Sequence, residues 1–262
     1  MRQRIQTAIL ALVVFVPFVL YGGWPFILFV YFMASIGLIE LLNMYKIDKY
    51  SFPSIISMVS LWVILLPYKE FNVAAFTFTK TEVIILFIML LMSYTVLAKN
   101  KFTFDGSGFM LISTIYVGIG FYFLILTRMM GMEYILFALF VIWATDTGAY
   151  FFGRAFGKKK LWPEISPNKT VEGAIGGIVS AGIIGVIFQM VHPFEQSMLI
   201  ILVVTIGISI VGQVGDLVAS AFKRHYKVKD SGKLLPGHGG ILDRMDSLLF
   251  VSPFLYLIKF IF

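Results

Sequence analysis

The chain has 262 residues, 59% of them apolar and only 13% charged, with mean hydropathy +0.92 and formal net charge +7. Soluble domains carry about 25% charged residues, so a water-soluble globular enzyme is excluded, and so is a soluble nucleic-acid binder, because the basic excess sits in loops between apolar runs. Cysteine is absent, which rules out a disulfide framework and any thiolate metal site.

The first apolar run, after MRQR, superficially resembles a secretory signal, but YGGWPF follows without an A-x-A site and a second apolar run starts at once. A retained first membrane helix is expected. A hydrocarbon core needs ~20 helical residues to cross, and nine stretches approach that length: 5–21, 25–43, 54–68, 82–98, 108–127, 133–152, 171–191, 197–215 and 247–262. Their continuity predicts helices rather than a barrel, since each segment must satisfy its own backbone in lipid. The expected fold is therefore all-α: a polytopic integral membrane protein of about nine transmembrane helices, with polar cytoplasmic loops forming the site. No linker or clear internal repeat divides it. One domain over 1–262 is expected, with N-terminal spans in 1–132 and catalytic spans and loops in 133–262.

The loops alternate in charge. Arg2 and Arg4, Lys46 and Lys49, Lys99 and Lys101, five basic residues from Arg154 to Lys169 and six from Lys223 to Arg244 fall on one side. Lys69, Glu70, Lys80, Arg128 and Glu133 fall on the other. The positive-inside rule places the N-terminus and both long polar loops in the cytoplasm.

Three polar constellations stand out, in chain order. Asp146 lies near the inner end of the sixth span, where a truly central carboxylate costs about 2.5–3.5 kcal/mol; Tyr150 follows one turn later. Lys158, Lys159 and Lys160 read as topogenic charges, and Glu172 as a cap or structural residue. Ser166-Pro167-Asn168-Lys169-Thr170 precedes the seventh helix, so Asn168 or Thr170 is a candidate cap, and Lys169 at that helix start is a candidate phosphate contact. The Gly153–Lys159 stretch is one residue short of a P-loop and lacks its Ser/Thr. Gly118, Gly120, Gly173, Gly176 and Gly177 suit close helix packing.

If 213–227 is helical, Gln213, Asp216, Ser220, Lys223 and Lys227 fall within an arc of about 80°. One stripe then carries a carboxylate, a hydroxyl and two ammonium groups; for Lys223, Arg224 and Lys227, contact with anionic headgroups is an equal alternative. In LLPGHGGILDRMDS, Pro236, Gly237, Gly239 and Gly240 make a tight turn whose backbone N–H groups can approach an anion. Asp243 and Asp246 then share a helix face. With Asp216 they offer the hard oxygen ligands Mg²⁺ prefers, against which stands simple stabilisation of acids at a helix start. Arg244 is either an ion-pair partner or a phosphate clamp. His238, without a second histidine nearby, suits a turn hydrogen bond or a substrate contact.

On these residues the chain closely resembles the phosphatidate cytidylyltransferases, or CDP-diacylglycerol synthases. Their signature runs through Ser220, Lys223-Arg224, Lys229-Asp230, Pro236-Gly237-His238-Gly239-Gly240 and Asp243-Arg244-Met245-Asp246 without a departure. The Asp146–Tyr150, Ser166–Thr170 and Gly215–Leu217 stretches are also similar, so the motifs cover 146–246. The resemblance implies transfer of the cytidylyl group of CTP to phosphatidate, giving CDP-diacylglycerol and pyrophosphate, with Mg²⁺ required. Under it Asp216, Asp243 and Asp246 are expected to hold the metal. Lys223, Arg224 and Arg244 join them in catalysis, and Asp146, Lys169, Ser220, Lys229, His238, Gly239 and Gly240 contact substrates. CTP, phosphatidate and membrane lipid are the expected partners, with a homodimer and no nucleic acid. The expected location is a bacterial plasma membrane, with the site on its cytoplasmic side. Two other readings compete: a CTP-dependent lipid kinase of the polyprenol type, and a polytopic transporter with Asp146 and Asp216 on an ion path.

Overall fold

A computed structural model describes residues 2–67 and 79–258, apart from the side chains of 2–5 and 8; Lys69, Glu70 and Lys259 lie outside the described residues. The chain forms α1 (Arg2–Tyr21), α2 (Gly23–Tyr45), α3 (Phe52–Leu65), α4 (Lys80–Leu97), α5 (Phe104–Met130), α6 (Met132–Phe156), β1 (Lys160–Trp162), β2 (Ser166–Thr170), α7 (Val171–Val191), α8 (Met198–His225) and α9 (Leu242–Leu257). Helix chemistry follows the apolar runs and their stops. Thr79 and Glu82 make a reciprocal capping box at the start of α4, and Thr103 caps α5 through the Gly106 N–H.

Among the described residues six helices are long and apolar enough to cross a membrane: α2, α4, α5, α6, α7 and α8. The chain is thus an integral membrane protein, but nine full spans are not established. Among the described residues the shorter apolar helices are Ile9–Tyr21, within α1, and α3, of 14 residues. Helix α9 has 16, and at 1.5 Å per residue α3 and α9 reach about 21–24 Å, less than the ~30 Å hydrocarbon core. Lipid-facing side chains agree with this picture, since α7 leaves Ile175, Val179, Ile183 and Ile187 exposed along one stripe.

The bundle is organised around α5, which packs on α2, α3, α4, α6 and α9, burying Val117, Phe121, Leu124 and Ile125. In the second half α6 lies tightly on α7, and α8 on α9. The glycines explain the close approach. A methyl at Gly177 would strike the Thr145 carbonyl, one at Gly120 would strike Leu249, and one at Gly215 would strike the Asp246 carbonyl. These contacts bear out the packing role expected for the helical glycines.

The structure adds a hairpin and corrects one expectation. In the 160–170 loop β1 and β2 pair antiparallel, Lys160 with Thr170 and Trp162 with Ser166. Asn168 therefore lies in a strand, while Thr170 caps α7 by accepting the Gly173 N–H at 3.1 Å. The polar stripe on α8 also ends early. The helix stops at His225 and Lys227 has φ +56, so Lys227 leaves the face shared by Asp216, Ser220 and Lys223.

The polar loops gather at one end of the bundle. Thr7 of α1 donates to the Pro236 carbonyl at 3.0 Å. Tyr45 stacks on Phe109, and both meet Tyr226 edge-on, joining the ends of α2 and α8 to the start of α5. Arg128, toward the other end, donates to the Val19 carbonyl at 2.6 Å. This clustering matches the alternation of charge along the sequence.

Candidate active site

Three helices each carry one carboxylate of a mutually influencing set. Asp146 sits on α6, Asp216 on α8 and Asp246 on α9, and each lies within electrostatic reach of the other two. Acids crowded at a partly dehydrated helix junction disfavour one another's charged form, and nearby cations favour it. Lys169, carried in from β2, pairs with Asp216 at 2.6 Å, and Arg244 and Lys223 also act on the cluster. Ser220, one turn after Asp216, lies 3.4 Å from its Oδ1. The polar layer continues inward: Thr145 donates to Ser209 at 2.9 Å and Gln213 to the Ala174 carbonyl at 3.3 Å, tying α6, α7 and α8 together.

Asp243 is placed differently. Its Oδ1 takes Lys223 Nζ at 2.6 Å, in a pair whose side chains are 12% and 5% exposed. Its Oδ2 accepts from the Ser231 N–H at 2.7 Å, the Ser231 hydroxyl at 2.9 Å and the Gly240 N–H at 2.9 Å. Asp243 stands ahead of the apolar part of α9. There burial pushes its carboxyl up, but the Gly240 N–H, Lys223 and the Ser231 N–H outweigh burial and hold it below the usual carboxylate range. Among the described residues no group of three or more His, Asp or Glu side chains is gathered to hold a metal. The expected triad Asp216, Asp243 and Asp246 is therefore not assembled as one three-carboxylate cage.

The turn between α8 and α9 forms the second part of the site. Gly237 and Gly239 both have positive φ, and the turn closes through His238 N–H to the Leu235 carbonyl at 2.8 Å. Of the N–H groups of this turn, that of Gly240 donates to the protein's own Asp243. A cleft of about 380 Å³ opens beside it, lined by Lys229, Lys233, His238, Gly239 and Arg244 among others. Among the described residues, His238 Nδ1 is buried without a hydrogen-bond partner. Arg224 turns away from this cleft: it donates to the Ile165 carbonyl at 3.2 Å and so fastens the hairpin to α8. Glu172 accepts from the Lys158 and Lys159 N–H groups, the structural role expected for it.

One residue of the site escaped the sequence reading. Glu40, 5% exposed near the end of α2, accepts the Ile241 N–H at 2.8 Å, the Leu242 N–H at 3.0 Å and the Ser231 hydroxyl at 2.8 Å. The signal was present, because Glu40 is the first acidic residue of the chain and lies inside an apolar run.

The arrangement has carboxylates, ammonium groups, a guanidinium and an open polar cleft at a membrane-helix junction. Groups of these kinds suit electrostatic rather than nucleophilic chemistry. The profile of the cytidylyltransferase family matches residues 2–262. The chain is similar to a phosphatidate cytidylyltransferase of Bacillus subtilis (strain 168), 50% identical over 265 residues, covering 100% of this chain and 98% of the relative. It is also similar to proteins of that name from Staphylococcus haemolyticus (51% identical) and Staphylococcus aureus strain COL (50% identical), each over 255 residues and 97% of both chains. The chain belongs to the cytidylyltransferase family.

Proposed function

We propose that this member of the cytidylyltransferase family is a phosphatidate cytidylyltransferase, converting CTP and phosphatidate to CDP-diacylglycerol and pyrophosphate in phospholipid biosynthesis. The observation that carries the reading is the junction of Asp146, Asp216 and Asp246 beside Lys169, Lys223 and Arg244, next to the cleft of Lys229 and His238. A phosphate oxygen of phosphatidate forms the new bond to the α-phosphorus of CTP, and the bond from that phosphorus to the bridging oxygen of the β-phosphate breaks. The attacking phosphate is already largely anionic at neutral pH, so no general base is required. The obstacle is repulsion between two polyanions, which positioning and neutralisation lower.

Mg²⁺ fits the residues in part. It takes one or two carboxylates and completes its shell with water and phosphate oxygens, so Asp216 and Asp246, with Asp146 close by, would hold it. When bound it supplies positive charge against the reacting phosphates. Asp243 is assigned instead to hold Lys223, because donors already occupy both its oxygens. The cleft is assigned to the nucleotide phosphates: Lys229, Lys233 and Arg244 bind them, and His238 and Gly239 shape its wall. Lys169 and Ser220 orient the lipid phosphate, which enters sideways from the inner leaflet. The reading places the protein in a bacterial plasma membrane with this site facing the cytoplasm. It also keeps a homodimer, for which the mass of the purified protein in detergent is the test.

Label fate tests the reaction. With phosphatidate and Mg²⁺, α-labelled CTP should pass its label to lipid while pyrophosphate is released. Transfer of the γ-label with release of CDP would make the protein a lipid kinase instead, and label in neither product would return the transporter.

A further inference from the structure

We propose that Glu40 is a positioning residue that sets the start of α9 and, through it, the Asp243–Lys223 pair and Asp246. The proposal rests on the reading of the site above and adds a residue from the otherwise apolar first half of the chain. The Ile241 and Leu242 N–H groups are among the first donors of α9, which its own preceding turns cannot satisfy. No side chain at the Ile241 cap position provides for them. Glu40 does so from α2, some two hundred residues away in sequence, with one oxygen on Ile241 and the other on Leu242. A carboxylate suits this position, since the helix start carries partial positive charge.

The same carboxylate reaches further. Ser231 Oγ lies 2.8 Å from Glu40 and 2.9 Å from Asp243, so one hydroxyl proton is shared between two buried acids. A neutral Ser or Asn would cap α9 without placing a second negative charge beside Asp243. What the carboxylate adds is a link running Glu40, Ser231, Asp243, Lys223 across α2, the loop, α9 and α8. Gly232 and Gly240 make room for it, since a Cβ at either would collide with the Glu40 carboxylate. Asp246 is one turn beyond Asp243 on the same helix, so any rotation or fraying of the first turn of α9 moves it away from Asp216 and Asp146.

The test uses the full chain in detergent, as wild type, Glu40→Gln and Ser231→Ala. Gln keeps the size of the side chain but turns an NH2 group toward donors. Two quantities are read: hydrogen exchange of the 240–243 amides against those of α5, and kcat and KM for α-labelled CTP. Glu40→Gln should speed exchange at 240–243 by about tenfold or more with α5 unchanged. Its kcat should fall about 100-fold, with KM for CTP moving less than about threefold. A variant that exchanges faster throughout, or melts lower, with kcat per folded molecule unchanged would reduce Glu40 to a structural residue and overturn the proposal. So would unchanged exchange at 240–243. If Glu40→Gln does not fold, Ser231→Ala decides, with loss in the same direction supporting the link and no change overturning it. A wild type that transfers no label would defeat the proposed reaction rather than this assignment, and the exchange measurement would still decide Glu40.

Discussion

Asp243 and Asp246 stand three residues apart on one face of α9, yet their surroundings differ in kind. Asp243 has a lysine on one oxygen and three donors on the other. Asp246 accepts the adjacent Ser247 N–H at 2.7 Å and faces the negative charges of Asp216 and Asp146. A buried carboxylate whose hydrogen-bonding capacity is filled stabilises the fold and has little left for a ligand. One set among like charges is costly to the fold, and that cost is recovered when cations or a substrate arrive. The sequence motif presents both acids alike; their roles separate only through what surrounds each one.

The largest expected effect is on turnover at the repelling set. Asp246→Asn or Asp216→Asn should lower kcat by at least about 100-fold, with melting temperature unchanged or raised because a repulsion is removed. Retained Mg²⁺-dependent turnover in either would break the distinction. Next comes Asp243→Asn, which strands the Lys223 charge in a largely buried site and should cost about 3 kcal/mol of stability, read by thermal melting in detergent.

Acid titration sharpens the same contrast. The Asp243 carboxyl is depressed, so its stabilisation is fully present above the ordinary carboxylate range and is lost as pH falls through its lowered folded value. Asp243→Asn should therefore flatten the acid limb of the melting profile. A wild-type limb left unaltered would contradict the role given to the pair.

Smaller effects are expected farther out. Lys169→Gln should lower turnover about tenfold while stability moves by less than about 1 kcal/mol, since the pair with Asp216 is about one-third exposed. Thr170→Ala removes the α7 cap and should cost about 1 kcal/mol, with turnover per folded molecule nearly unchanged.

Much of this was readable from residue order. Apolar runs and their capping residues predict the helices, because lipid forces each to satisfy its own backbone. Asp146, Lys169, Asp216 and Asp246 were all expected at the site, since ionisable groups at a membrane boundary are rarely idle. The hairpin was missed because its strands of three and five residues carry no usable alternation and are held by Glu172 and Arg224 from other elements. Lys227 was misplaced because a left-handed residue at a helix end leaves no mark in side-chain periodicity. The engagement of Asp243 was unreadable for a different reason: its partners come from α8 and the loop, and the residue that fixes that loop, Glu40, lies on α2.

Binding of Mn²⁺, as a spectroscopic stand-in for Mg²⁺, in the presence of CTP tests the division between the two kinds of carboxylate most directly. Followed by electron paramagnetic resonance on folded protein, Asp216→Asn should weaken binding by more than about tenfold, while Asp243→Asn stays within about threefold of wild type. Binding lost in Asp243→Asn and retained in Asp216→Asn would contradict the account.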